Sequence, residues 1–184
     1  MDIRELRKDE IRMAAELRHK CWNEDYAGIL PLDYIDIEKE TAYLTKWISD
    51  MKNADIRRLY GAFDKGDFIG FTGAGVADKR DAKNGVEIKY HFLKKEHRGK
   101  NVGIKLVKTV LDEYGKHGAD ELVIHNWHGS DSNRFYLYLG GEVFKQVMRK
   151  VGDRTIRADV FRWDLHRLLG IINEKLKYHR PEQD

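Results

Sequence analysis

The chain has 184 residues, of which 35% are charged and 41% hydrophobic, and its formal net charge is +3. This length suits a single domain over 1–184, and so small an excess of Lys and Arg excludes a dedicated nucleic-acid binder. The one cysteine, Cys21, excludes an intrachain disulfide and a cysteine-based zinc site. No apolar run approaches the roughly 18–20 residues of a membrane span, and the first residues are too charged for a signal peptide. We therefore expect a soluble, cytoplasmic protein.

The first half of the chain predicts a strand, two helices and then three strands. Asp9 is a suitable N-cap for a helix that runs to about residue 21. A second helix is expected over 37–51, where an apolar stripe consists of Leu44, Trp47, Ile48 and Met51. The strands are expected over 3–6, 58–63, 68–76 and 86–93.

The second half predicts alternating helices and strands. Apolar residues from Gly103 to Tyr114 recur at helical spacing, and Gly118 is a natural stop for a helix over 101–117. The other elements are a strand over 122–127, a short helix over 132–139, strands over 142–149 and 155–163, and an amphipathic helix over 166–178 within a C-terminal extension, 166–184. This order predicts an α/β fold of the α+β type, with a mixed sheet of about six to seven strands flanked by helices.

A basic turn that contains glycine lies between the strand over 86–93 and the helix over 101–117. Its sequence is R-G-K-N-V-G-I, residues 98–104. The first turn of a helix leaves about four N–H groups unpaired, and the helix dipole makes that end positive. The turn therefore suits a phosphate or pyrophosphate. The glycine patterns of phosphate loops and dinucleotide-binding folds are both missing. The alternative interpretation is a helix cap with basic residues nearby.

A second segment, S-N-R-F-Y-L-Y-L-G-G over 132–141, follows the next strand. Together with Glu87, the turn over 98–104 and the pattern W-x-x-x-Y-x-G-I-L-P over 22–31, it resembles the GNAT acetyltransferase superfamily. The resemblance covers about residues 86–163 and depends on the order and spacing of the motifs. It implies a mostly antiparallel sheet, acetyl-coenzyme A as cosubstrate, and transfer of the acetyl group to an amine.

The resemblance also implies where the coenzyme binds. Backbone N–H groups of the turn would wrap the pyrophosphate, and backbone atoms of Phe92 and Leu93 would bind the pantetheine arm and the thioester carbonyl. The implied cofactor-binding residues are Phe92, Leu93, Arg98, Gly99, Lys100, Asn101, Val102, Gly103, Ile104 and Asn133.

Tyr136 and Glu87 are the implied catalytic residues. Glu87 would take a proton from the amine and Tyr136 would protonate the leaving thiolate, so the amine attacks directly in a ternary complex. By strand alternation His91 shares a face with Glu87, which makes it the alternative base. The alternative interpretations are that Tyr136 is a core tyrosine and that Glu87 is a solvated glutamate. The protein would then be a non-catalytic acyl-coenzyme A binding or sensing module. A nucleic-acid-binding module has only the scattered basic residues in its favour.

The sequence departs from the family pattern at three places. Asn101 replaces the first glycine of the loop, Gly129 or Ser130 stands where an asparagine often contacts the cofactor, and Lys95 replaces a common proline. Asparagine is one of the few residues besides glycine that tolerate a positive φ. We therefore expect a left-handed or turn-like backbone at Asn101.

The remaining expectations concern partners. His125 and His128 are separated as H-x-x-H on a strand end, which points their side chains apart, so no metal site is expected. The acceptor is expected to be a small-molecule or peptide amine, bound by the front helices and the late hairpin, with no nucleic-acid or membrane partner. The apolar side of the C-terminal helix covers either this chain's core or a second subunit in a homodimer.

Overall fold

The computed structural model describes residues 1–49 and 56–178. In this part of the chain the strands are β1 (Asp2–Glu5), β2 (Arg58–Asp64), β3 (Asp67–Val76), β4 (Gly85–Leu93), β5 (Glu121–Trp127), β6 (Glu142–Val151) and β7 (Arg154–Asp164). They form one sheet in the order β1-β2-β3-β4-β5-β7-β6. β4 and β5 run parallel, and the other neighbouring strands run antiparallel. The predicted mixed, mostly antiparallel sheet is therefore confirmed.

Helices cover both faces of this sheet. The described helices are α1 (Ile11–Asp25), α2 (Ile37–Ser49), α3 (Val102–Lys116), α4 (Asn133–Tyr138) and α5 (Leu165–Tyr178). α1 and α2 pack on one face, and α3 and α5 pack on the other. Within the described residues, no helix is long and apolar enough to span a membrane. Met51, the last residue of the stripe predicted for the second helix, lies outside the described residues.

The start of α1 differs from the prediction that Asp9 caps it. Lys8–Glu10 form a 3-10 turn ahead of the helix. The Glu10 carboxylate accepts a hydrogen bond from the Arg7 backbone N–H at 2.9 Å, and Arg4 donates to the same carboxylate at 2.7 Å. Glu10 holds the turn in place of Asp9 because its longer side chain reaches both the turn and β1.

The apolar side of α5 covers the core of this chain. Leu165, Leu168 and Ile172 are fully buried in the cluster formed by α3 and the sheet. The sequence left open whether this side faces its own core or a second subunit, and the structure shows the former. Residues 179–184 of the predicted extension lie outside the described part, and the homodimer stays a prediction.

An irregularity in β4 positions the candidate site. Ile88 pairs with Ala74 and Tyr90 pairs with Gly73, so Lys89 is an extra residue in the β3–β4 ladder. Because side chains alternate along a strand, one extra residue moves all later side chains to the opposite face. Ile88 accordingly packs on the α3 side, whereas Tyr90 packs on the α1 side.

β4 and β5 also separate at this bulge. Their parallel pairing runs from Gly85 opposite Glu121 to Ile88 opposite Ile124. Beyond Ile88, β4 continues to its end at Leu93 without β5 as a neighbour. The edge of β4 that faces β5 is therefore free of ladder hydrogen bonds to β5 over its last five residues, 89–93.

Candidate active site

The turn before α3 has the backbone geometry that an anion site needs. Asn101 has φ 60° and ψ 5°, which is the left-handed conformation expected from the sequence. Its side chain makes no capping hydrogen bond, while its carbonyl accepts the first helical bond from Lys105 at 3.0 Å. Gly99 also has a positive φ, 74°. The N–H groups at the start of α3 are therefore available to a ligand.

The Arg98 side chain braces this turn against α1. Its guanidinium donates to the two carboxylate oxygens of Asp25 at 2.8 and 2.7 Å and to the Leu93 carbonyl at 3.1 Å. A guanidinium and a carboxylate form parallel hydrogen bonds of fixed geometry, so this pair fixes the loop's position. The Arg98 backbone N–H donates to the Lys95 carbonyl at 3.2 Å, so Arg98 supports the turn and does not offer the free N–H that the family resemblance implies.

A cavity of about 640 Å³, here called the loop pocket, opens beside this turn between β4, α3, α4 and the end of α1. Eight of the residues implied by the resemblance line it: Phe92, Leu93, Arg98, Gly99, Asn101, Gly103, Ile104 and Tyr136. Lys100 and Val102 do not line it; Lys100 is exposed and Val102 is buried in the core. The Asn133 side chain donates to the Trp127 carbonyl and to Asp159, both at 3.1 Å, so it points to the sheet.

Tyr136 lies at the inner end of the loop pocket. Its ring packs against Phe161 and Trp163, with ring centroids 5.3 and 6.3 Å apart. Burial raises the pKa of Tyr136 above its ordinary value of 10. Tyr136 therefore carries its proton at neutral pH, as a general acid must before it acts.

The separation of β4 from β5 forms a smaller cavity of about 130 Å³, here called the strand gap. Its walls include Tyr136 and Phe92, which also line the loop pocket. They also include Trp22 and Trp127, which line a larger cavity on the α1 side of the sheet. The strand gap thus connects the two faces of the sheet next to the Tyr136 ring.

The larger cavity, here called the open cleft, has a volume of about 1030 Å³. Glu87 lines it with a side chain that is 15% exposed, and Lys89 lies 3.3 Å from the carboxylate. The two residues implied for catalysis, Tyr136 and Glu87, therefore lie on opposite sides of the strand gap. Glu87 does not line the loop pocket.

His91 does not share a face with Glu87, which corrects the expectation from strand alternation. The extra residue Lys89 turns His91 to the α3 side, where its ring stacks on Phe135 with centroids 5.3 Å apart. Both ring nitrogens are buried without a hydrogen-bond partner among the described residues, and burial lowers the pKa of His91 to about 4. His91 lines the loop pocket and the strand gap but not the open cleft, where Glu87 lies.

The sequence reasoning missed a chain of polar contacts in the open cleft. His125, considered before only as a metal ligand, hydrogen-bonds through Nε2 to Asp81 at 2.8 Å. Arg149 donates to His125 Nδ1 at 3.1 Å. The described residues contain no group of three or more His, Cys, Asp or Glu placed to hold a metal ion. The alternation of Lys145, Val147 and Arg149 on β6 was the one sequence signal for this wall.

This chain has the same fold as several acetyltransferases with solved structures. PaiA N-acetyltransferase from Thermoplasma acidophilum, in complex with coenzyme A, is 19% identical with a TM-score of 0.64, over 89% of this chain and 98% of that chain. Ribosomal-protein-alanine N-acetyltransferase from Brucella melitensis is 13% identical with a TM-score of 0.68, over 89% and 99%. YncA from Salmonella typhimurium, with its cofactor acetyl-CoA, is 21% identical with a TM-score of 0.65, over 90% and 94%.

The family follows from the sequence match. The model of the acetyltransferase (GNAT) family matches residues 14–140, which is more than half of the chain. The chain therefore belongs to the acetyltransferase (GNAT) family. A comparison with curated proteins finds no match.

Proposed function

We propose that this protein transfers the acetyl group of acetyl-coenzyme A to a primary amine, by direct attack within a ternary complex. The observation that carries the proposal is the position of Tyr136 between two cavities. It lines the loop pocket and the strand gap, while Glu87 lines the open cleft beyond that gap. This arrangement supports a coenzyme on one side, an acceptor on the other, and a reaction between them.

The loop pocket would hold the coenzyme. Its pyrophosphate would accept hydrogen bonds from the N–H groups at the start of α3, where the helix dipole also favours negative charge. The pantetheine arm would follow the free edge of β4 along Phe92 and Leu93. Backbone N–H groups on that edge would bind the thioester carbonyl and stabilise the oxyanion of the tetrahedral intermediate.

Glu87 would supply the base. An alkylamine has a pKa of about 10.4, so forming the neutral nucleophile at pH 7 costs about 4.6 kcal/mol. The Glu87 carboxylate lines the open cleft, and it would take the amine proton directly or through water. The nitrogen then forms a bond to the thioester carbon.

Tyr136 would complete the reaction. As the C–S bond breaks, the sulfur leaves as a thiolate with a pKa near 8.5, and the tyrosine hydroxyl is the better acid for protonating it than water is. The products are the acetylated amine and coenzyme A with a free thiol.

A thiol-release assay tests the proposal. The purified protein is mixed with acetyl-coenzyme A and a panel of amines, amino acids and peptides, and the free thiol of coenzyme A is measured. Tyr136→Phe should bind acetyl-coenzyme A within a few-fold of the parent and lower kcat by about a hundredfold or more. Tyr178→Phe, at a tyrosine that is 83% exposed on α5, is the control and should leave kcat unchanged.

The same assay separates the alternatives. If acetyl-coenzyme A raises the melting temperature but no amine releases thiol, the protein is a non-catalytic acyl-coenzyme A binding module. An unchanged kcat in Tyr136→Phe would remove Tyr136 from the mechanism. Steeply salt-dependent binding of oligonucleotides would instead favour the nucleic-acid module.

A further inference from the structure

We propose that the open cleft binds an acceptor that carries a carboxylate beside its amine and an apolar side chain, the chemistry of an apolar α-amino acid, and that Arg149 binds the carboxylate. This inference rests on the proposed acetyl transfer and names the acceptor class. It follows from the charge pairing in the cleft, the free donors of one guanidinium, and the aromatic wall of the same cleft.

The acidic side chains of the open cleft already have basic partners. The pairs are Asp78 with Arg80, Asp81 with Lys145, and Glu87 with Lys89. A polyamine or another polycation needs free carboxylates. Among the described residues that line the cleft, every carboxylate is shared with a cation, so the cleft favours an acceptor of lower positive charge.

Among the described residues that line the cleft, Arg149 and Lys150 are cations without a carboxylate partner, and Arg149 alone of the two has the forked donors of a guanidinium. It extends from β6 on the same side as Lys145 and Val147. Within residues 1–49 and 56–178, no carboxylate lies at ion-pair distance from it, and its one hydrogen bond goes to His125. A guanidinium has five N–H donors in a fork that matches the two oxygens of a carboxylate.

One neighbour, His125, orients the guanidinium of the exposed Arg149 side chain through a hydrogen bond. Arginine only donates, so the Nδ1 atom of His125 must accept the bond from Arg149 at 3.1 Å. The neutral imidazole then carries its proton on Nε2, which donates to Asp81 at 2.8 Å. The chain from Asp81 through His125 to Arg149 pre-organises a carboxylate-binding group, which lowers the entropy cost of binding.

The contacts from Asp81 through His125 to Arg149 lie close to the proposed site of acetyl transfer. His125 lines both the strand gap and the open cleft, and Arg149 is its direct neighbour on the cleft side. A carboxylate bound by Arg149 would therefore lie one imidazole ring away from the strand gap. The amine of an α-amino acid is two bonds from its carboxyl carbon, so it would point toward the proposed site of the thioester.

An aromatic wall faces the rest of the acceptor. The Trp22 ring stacks on Tyr34 with centroids 5.5 Å apart, and Trp127 meets Trp22 edge to face at 6.2 Å. All three residues line the open cleft. These ring surfaces would bury an apolar side chain, and an aromatic one would gain additional edge or stacking contacts.

A pair of matched substrates tests the inference. L-Phenylalanine and 2-phenylethylamine have the same ring and amine and differ by the carboxylate. We expect the parent protein to prefer L-phenylalanine in kcat/KM by roughly ten- to a hundredfold, the value of hydrogen bonds to a charged group. We expect Arg149→Gln to bring this ratio close to one.

Arg157→Gln is the matched control, because Arg157 is exposed on β7 opposite Met148 and does not line the cleft. It should keep the ratio. A ratio near one in the parent, or an unchanged ratio in Arg149→Gln, overturns this inference alone, since thiol release from 2-phenylethylamine still supports acetyl transfer.

Calorimetry of L-phenylalanine binding to the protein saturated with coenzyme A tests the carboxylate site in the absence of turnover. Arg149→Gln should weaken this binding by tenfold or more, and Arg157→Gln should not. No binding to the parent, or equal binding to all three proteins, overturns the inference. Absence of thiol release with every amine, together with the expected binding differences, overturns the proposed acetyl transfer and leaves the carboxylate site standing.

Discussion

Substitutions at Asn101 change the backbone preference of the loop without removing a side-chain hydrogen bond. This position therefore gives the sharpest test of the coenzyme site. Its φ of 60° and ψ of 5° place it in the left-handed region, and its side chain makes no capping hydrogen bond. Glycine adopts this conformation freely, asparagine tolerates it, and a β-branched residue does not. We therefore expect Asn101→Gly to bind coenzyme A as tightly as the parent or more tightly.

Asn101→Val should weaken coenzyme A binding. Holding valine in the left-handed region costs about 1–3 kcal/mol. Gly99 and Lys100 beside it are exposed. Because little packs against them, we expect the turn to move to an unstrained backbone conformation and not to hold valine in the left-handed region. Relaxation moves the N–H groups at the start of α3 away from the pyrophosphate. The same free energy then corresponds to a loss of affinity of roughly ten- to a hundredfold.

Isothermal titration of the three proteins with coenzyme A measures the effect, and circular dichroism confirms that each is folded. Lys65→Val is the control, because Lys65 also has a positive φ, 51°, in the turn between β2 and β3, away from the loop pocket. It should lower stability and keep the affinity. Equal affinities for glycine, asparagine and valine at position 101 would refute the view that this turn holds the pyrophosphate.

Three further predictions concern titratable groups. Glu87→Gln should lower kcat/KM for an amine acceptor, and an unchanged kcat/KM would place the base elsewhere. The hydrogen bonds from Arg4 and from the Arg7 backbone hold the pKa of Glu10 down at about 2, so native stability should be full above pH 4.5 and fall as the pH drops toward 2. Denaturant titrations across this range should show a smaller loss in Glu10→Gln than in the parent, because Asp78 and Asp81, whose pKa values are also lowered, contribute to both proteins. Burial raises the pKa of Cys21 to about 11, so a disulfide reagent at pH 8 should modify it in the unfolded protein and hardly at all in the native one.

The fold was predictable because its elements have strong local patterns. The helix expected over 101–117 is α3, Val102–Lys116, and the expected hairpin strands are β2 and β3. Hydrophobic periodicity and glycine stops are short-range signals, and they determine these elements almost residue by residue. The left-handed turn at Asn101 was also readable, since the residue type itself limits the backbone.

The polar wall of the open cleft was not predictable, because its contacts are long-range. His125 and Asp81 are 44 residues apart in sequence, and Arg149 and His125 are 24 residues apart. Each lies on a different strand or loop, and its partner depends on the order in which the strands pair. No local pattern in the sequence records that order. The sequence therefore offered only one question about His125, which was whether it binds a metal together with His128.

The bulge at Lys89 explains both the main error in the predicted site and the way the site is built. Regular alternation would have placed Glu87 and His91 on one face of β4, with the base and its alternative in one cavity. The extra residue instead inverts the strand at the point where its pairing with β5 ends, after Ile88. A single strand therefore contributes Glu87 to the open cleft and its later residues to the loop pocket. The proposed reaction between two molecules would need the opening between β4 and β5, and this opening begins at the residue where the bulge lies.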